Sequence, residues 1–260
     1  MKSKSHYNLQ PNPYSLTIAW MYSDLMSIYG DRGNIITLQK RCEWRGISVT
    51  IAPITIGTKD QRLATSDLLF AGGAQDSQQT LVSEDLQKHK GEILQAMIEK
   101  NIPGLYICGA YQFLGKYYKE ADGTIIKGLG IFDLHTENPG IHHKRLIGNV
   151  TAKSSITYSL QPITSLVGFE NHGGRTYLGK NVKPLATIIK GYGNNGEDKT
   201  EGAMYKNSIG SYFHGPILPK NPHLADWLIS KALEIKYEKP ISLEPLDDSL
   251  AYQAHESMIK

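Results

Sequence analysis

The apolar positions of the first 110 residues follow two rhythms. Short apolar runs over 16–22, 49–54, 67–71 and 105–107 predict strands, the second of them closing at or just after Pro53. Between them, Ile35, Leu38 and Cys42 recur at three- and four-residue spacing and predict an amphipathic helix over 34–45, stopped by Gly46. A further helix is predicted over 81–100, interrupted near Lys90 and Gly91. Strand and helix in alternation predict a parallel sheet with helices on both faces. In such a sheet the carboxyl ends of the strands are where function gathers.

From about Asp122 the texture changes. Short strands are predicted over 146–152, 156–160, 185–189 and 208–213, punctuated by Gly and Asn, so the sheet is expected to gain antiparallel strands. Pro222 suits the first turn of a last helix, whose apolar face is Leu224, Trp227, Leu228, Ala232 and Leu233. Residues 1–14 are polar and contain Pro11 and Pro13, which predicts a tail; 15–237 form the folded domain, and the acidic stretch 238–260 a surface extension. The fold class is thus α/β, a single domain around a mostly parallel central sheet.

Composition narrows the function classes. A chain of 260 residues with 40% hydrophobic positions can bury a full core. Its formal charge of +3 is too small to argue for nucleic acid or an anionic membrane. No apolar run approaches the roughly 20 residues of a membrane span. Basic residues among the first six precede no apolar segment, so no signal peptide is expected. Two cysteines, Cys42 and Cys108, make no disulfide scaffold and suit a reduced, cytoplasmic setting.

Of those two thiols only Cys108 stands at an element junction. The run Leu105-Tyr106-Ile107-Cys108-Gly109-Ala110-Tyr111-Gln112 is a strand, a thiol, two small residues and a helix start. There the thiol meets the unpaired N–H groups of a helix N-terminus, which favour thiolate, the nucleophilic form. This is the form of a nucleophile elbow with cysteine in the serine's place. Small residues let a substrate carbonyl approach the backbone, which makes the N–H groups of Gly109 and Ala110 oxyanion candidates. Gly73, in the Gly72-Gly73-Ala74-Gln75-Asp76 turn after the third strand, is another. Cys42 sits on a helical apolar stripe and is core. A catalytic thiol needs a base. Among nine histidines, His214 at a strand end and His172 in a Gly-rich turn both qualify on spacing. No Cys or His set has zinc-site spacing, and no GxxxxGK[ST] loop is present. His142-His143-Lys144-Arg145 is a solvated basic face or a site for an anionic group.

Taken together, the segments Tyr29-Gly30-Asp31-Arg32-Gly33-Asn34, Gly72-Gly73-Ala74-Gln75-Asp76, Ile107-Cys108-Gly109-Ala110-Tyr111-Gln112, Gly168-Phe169-Glu170-Asn171-His172-Gly173-Gly174-Arg175, Gly191-Tyr192-Gly193-Asn194-Asn195 and Tyr212-Phe213-His214-Gly215-Pro216 resemble a family. It is the class I, cysteine–histidine glutamine amidotransferases, in their cobyric acid synthase-like branch. The resemblance covers nearly the whole chain and implies a flavodoxin-like domain. It implies Cys108 as the nucleophile that attacks glutamine, His214 rather than His172 as general base and acid, and Arg145 in the substrate site. It further implies ammonia transfer to a MurT-like Mur ligase subunit in a heterodimer. That partner would carry ATP and magnesium and amidate the D-glutamate α-carboxyl of lipid II at the inner face of the membrane, in peptidoglycan synthesis. No cofactor is expected on this chain. The alternatives are a glutaminase subunit for a cobyrinate-type synthetase, or a non-catalytic regulatory module on the same fold. Many class I relatives carry an acid two residues after the histidine; here Pro216 stands there, and the expectation is that the partner subunit supplies the acid.

Overall fold

Strand β1 (Ser15–Met21) is flanked on both sides by parallel neighbours, β2 (Ser48–Ile54) and β3 (Leu68–Ala71). The computed structural model describes residues 13–57, 60–74, 76–156 and 164–259; the expected N-terminal tail falls almost wholly outside them. Helix α1 (Arg32–Glu43) joins β1 to β2, and α2 (Gln61–Ala64) joins β2 to β3. Helices α3 (Asp76–Asp85) and α4 (Gly91–Glu99), separated by a π-helical turn over 86–90, lead to β4 (Gly104–Ile107). The predicted interruption at Lys90 and Gly91 is this turn, where buried Lys90 reaches back to the Asp85 carboxylate. Helix α5 (Gly109–Leu114) follows directly.

Three short strands come next: β5 (Tyr117–Lys119), β6 (Ile125–Lys127) and β7 (Leu134–Glu137). Then come β8 (Leu146–Ser154), β9 (Leu166–His172), β10 (Arg175–Leu178), β11 (Ala186–Lys190) and β12 (Thr200–Glu201). The hairpin of β13 (Ala203–Tyr205) and β14 (Ser208–Ser211) precedes α6 (Ile217–Lys220), α7 (Pro222–Tyr237) and α8 (Ser249–Ile259).

The central sheet has the order β13-β14-β4-β3-β1-β2 and is parallel except for β13. With right-handed crossovers, that order places α1 on one face and α2 to α4 on the other. Strands β3 and β4 are buried along their whole length, which is why they read as unbroken apolar runs. The sheet gains one antiparallel strand, β13, as expected, but β5 to β12 do not join it. They form two further four-stranded sheets, β10-β7-β5-β6 and β12-β11-β8-β9. The strand expected over 156–160 lies mostly outside the described residues.

Residues after Tyr237 fold back onto the domain. Buried Arg41 of α1 forks to Asp226 of α7 and to Asp248, and the Arg45 guanidinium donates to the Glu244 carbonyl. Fork geometry of this kind is what makes a buried guanidinium tolerable. The ends of β1, β3, β4 and β14 lie side by side, at the carboxyl edge of the sheet. The turns after these four strands build the site.

Candidate active site

Cys108 follows β4, which is clamped between β3 and β14. Its N–H donates to the Ser211 carbonyl at 2.9 Å, and its own carbonyl accepts from Gln112 at 3.0 Å. To pass from strand into helix in one residue, the backbone at Cys108 adopts φ +53° and ψ −107°. For a residue with a side chain this strain costs on the order of 1–3 kcal/mol, and such strain clusters at functional sites. Cys42, by contrast, is buried in α1, where burial pushes its thiol up to about 12.

His214 follows β14. Its backbone is locked by reciprocal bonds with Phe169, N–H to carbonyl at 2.7 Å one way and 3.3 Å the other. The buried imidazole comes close enough to Cys108 for that thiol to act on its charge, so of the two histidines left open by spacing it is His214 that the fold brings to Cys108. Its Nδ1 lies 3.4 Å from Oδ1 of Asp31, which is also buried. Burial alone would push the imidazole down; Cys108 first and Asp31 second outweigh it and raise it to about 10.

Asp31 is a neighbour that the sequence reading did not anticipate: it brings His214 a carboxylate from its own chain, 183 positions away. The turn that bears Asp31 opens α1 at Arg32, two residues earlier than predicted, so Asn34 lies inside the helix. The Asn34 Oδ1 accepts the Leu218 N–H at 3.0 Å, and a side chain at Gly33 would collide with the Pro216 ring. The turn thus grips the segment just beyond His214.

His172 occupies a different environment. Its Nδ1 is 2.8 Å from the Gly174 carbonyl, its Nε2 3.5 Å from the Glu170 carboxylate, and its ring stacks on Tyr212 at 3.7 Å. Burial pushes its imidazole down, so it is a neutral wall residue.

The oxyanion donors need one change. The Gly73 N–H donates to Asp31 Oδ2 at 2.7 Å and is not free for a substrate, because the Asp31 carboxylate lies under the Gly72–Gly73 turn. A Cβ at Gly73 would come within 3.1 Å of the His214 ring, so this glycine is there for close approach. Ala74, one residue on, brings its N–H within 3.4 Å of where a Gly109 Cβ would stand. Gly109 and Ala110 open α5, where first-turn N–H groups have no intrahelical acceptor. The backbones of Ala74 and Gly109 therefore approach each other beside Cys108. Neither Ala74 nor Ala110 has a positive φ, so the methyl groups at these positions cost no strain.

Cys108 opens onto a pocket of about 220 Å³. That is below the roughly 300–1,000 Å³ of drug-sized sites and suits a small polar molecule. At its mouth Arg145 is held by Asn171, Nε to Oδ1 and Nη2 to the carbonyl, both at 2.9 Å. Gln79 and Gln112 line the interior with buried amide oxygens that have no partner among the described residues. An orphaned buried acceptor is costly unless the occupant of the pocket donates to it. Sequence reasoning missed Asp31, Ala74, Gln79 and Gln112. Only Gln112, one helical turn after Cys108, carried a local signal.

Among the described residues no group of three or more His, Cys, Asp or Glu could hold a metal ion, and no helix is long and apolar enough to cross a membrane. Residues 17–222 match the family described as the CobB/CobQ-like glutamine amidotransferase domain. The chain is 43% identical to the GatD subunit of lipid II isoglutaminyl synthase (glutamine-hydrolyzing) of Staphylococcus aureus strain N315, over 95% of this chain and 96% of that one. It is 40% identical to the subunit of the same name from Streptococcus pneumoniae R6, over 94% and 90%. A probable cobyric acid synthase of Methanococcus maripaludis is 34% identical over 75% of this chain but 38% of its own length. In fold, the chain is similar to a crystal structure of a glutamine amidotransferase, with TM-score 0.57 and 15% identity over 82% of this chain and 98% of that one.

Proposed function

Because the chain belongs to the CobB/CobQ-like glutamine amidotransferase family, we propose that it is a glutaminase subunit working through Cys108 and His214. The observation that carries this is Cys108, strained at the strand–helix junction, lining a small polar pocket and close enough to His214 to raise its imidazole. The Cys108 thiolate attacks the side-chain amide carbon of glutamine, and the N–H groups of Ala74 and Gly109 face the developing oxyanion. His214 gives its proton to the departing nitrogen, the C–N bond breaks, and ammonia leaves a γ-glutamyl thioester. Neutral His214 then takes a proton from water, the hydroxide attacks the thioester, and glutamate departs with the thiolate restored. Arg145 takes the substrate α-carboxylate at the mouth, and the Gln79 and Gln112 amide oxygens accept from its N–H groups.

Similarity along nearly the full length of both chains to subunits named for lipid II isoglutaminyl synthase supports the destination of the ammonia. It goes to a MurT-like Mur ligase partner that binds ATP and magnesium and amidates the D-glutamate α-carboxyl of lipid II. This chain itself needs no cofactor, and the complex works in the cytoplasm against a lipid-linked substrate. The test is glutamate release from glutamine by the purified chain, alone and with that partner, beside Cys108→Ala. Cys108-dependent release, with amidated lipid II formed only when both subunits and ATP are present, is the expected result. No Cys108-dependent release in either sample refutes it.

A further inference from the structure

One carboxylate touches two parts of this site. Asp31 Oδ1 faces His214 Nδ1 at 3.4 Å, while Oδ2 accepts the Gly73 N–H at 2.7 Å. Gly73 immediately precedes Ala74, which lines the pocket with Cys108 and whose nitrogen lies close to Gly109. The side chain is fully buried and comes from the residue that opens α1, a turn anchored through Asn34 to Leu218 and through Gly33 against Pro216. A buried carboxylate with only one full hydrogen bond is costly unless its second oxygen meets a donor or a cation. Among the described residues, the side chain that meets that oxygen is His214.

We infer that Asp31 is the positioning residue of this site, orienting the His214 imidazole, sustaining its cation beside Cys108, and locking the oxyanion turn to the same anchor. This rests on the Cys108–His214 reading of the site. Three charged groups face His214: Cys108 from the end of β4, Asp31 from the start of α1, and Lys220 of α6, whose ammonium lies 3.5 Å from the His214 carbonyl. Lys220 acts on the main chain and disfavours the cation, so Asp31 is the carboxylate that offsets burial. With Nδ1–H held by Asp31, Nε2 is the nitrogen left for Cys108. Removing the charge makes the imidazolium less stable, and the thiolate beside it then forms only at higher pH.

The test uses the full chain and the pH dependence of Cys108 alkylation by iodoacetamide, read by peptide mass spectrometry. Cys42 is buried and its thiol raised to about 12, so it stays silent. For Asp31→Asn the alkylation midpoint is expected to rise by about one pH unit or more. In the same variant kcat for glutamine falls about a hundredfold with KM little changed. Asp31→Glu keeps the charge and recovers part of the midpoint shift. Asn34→Ala, in the same turn but away from His214, lowers the melting temperature and leaves the midpoint in place. A wild-type midpoint in Asp31→Asn, equal shifts for Asn and Glu, or the same shift in Asn34→Ala each overturns the inference. If the wild type releases no glutamate through Cys108, the glutaminase reading falls, while the alkylation midpoint still decides what Asp31 does.

Discussion

His214 and His172 are both buried, and each has a buried carboxylate at nearly the same distance, 3.4 Å to Asp31 and 3.5 Å to Glu170. Their protonation goes in opposite directions. His214 is raised to about 10, whereas burial pushes His172 below its ordinary value. The difference lies in what else each group meets. Glu170 is already satisfied by the N–H groups of Tyr192 and Gly193, at 2.7 and 2.9 Å, and nearby Arg175 opposes a cation at His172. Asp31 has one backbone donor, and Cys108 adds a second negative partner to His214. A carboxylate near a histidine is therefore not enough to make a base. An anion on the second face of the ring, with a carboxylate left unsatisfied, is what separates a reactive pair from a wall.

The largest effect comes from removing that anion. Cys108→Ala is expected to abolish glutamine turnover, a loss of at least about 10³-fold in glutamate release. His214 should then lose the negative partner that most favours its cation and come to resemble His172. Next, His214→Gln is expected to cost about 10²–10⁴ in kcat, the usual range for a general acid and base. His172→Gln should instead show mainly as stability, about 1–3 kcal/mol in a denaturant titration, because it disturbs buried hydrogen bonds. If the two substitutions exchange these signatures, the assignment of roles is reversed.

These differences were only partly legible in the sequence. The parallel half could be read because β3 and β4 are buried on both faces, and their side chains announce it as continuous apolar runs. Cys108 could be read because its elbow is local, with strand, thiol, small residues and helix in one stretch. Asp31 could not be found this way. Its partners are 42 and 183 positions distant, and no periodicity encodes the meeting of two turns at one sheet edge. The pairing of the short strands after Asp122 was hidden for the same reason. Which strands meet is decided by pairings between distant segments, such as β7 with β10, while each segment by itself shows only a few alternating residues.

Two smaller effects sharpen the contrast at the pocket. Arg145→Ala is expected to raise KM for glutamine about 10–100-fold with kcat nearly unchanged, the loss of a charge-assisted contact made equally in ground and transition states. The smallest effect is on the pH dependence of stability. His172 has a depressed pKa in the folded state, so its contribution is present above 6.5, its ordinary value, and is lost as pH falls below that. Denaturant titrations from about pH 7.5 down to about pH 5 should show stability falling by up to about 1.4 kcal/mol per pH unit from this group, and His172→Gln should remove that part of the slope. The raised His214 has the opposite sign: its contribution is present below 6.5 and lost as pH rises through about 10.

The most direct measurement of the contrast is the titration of the two imidazoles by NMR of the full chain labelled at histidine, with His214→Gln and His172→Gln samples to assign the signals. The His214 signal is expected to remain that of an imidazolium well above neutral pH, and His172 to be neutral at pH 6.5. If His214 titrates at or below 6.5, or if both histidines titrate together, there is no imidazolium beside Cys108 at neutral pH, and the division of roles between the two histidines is contradicted.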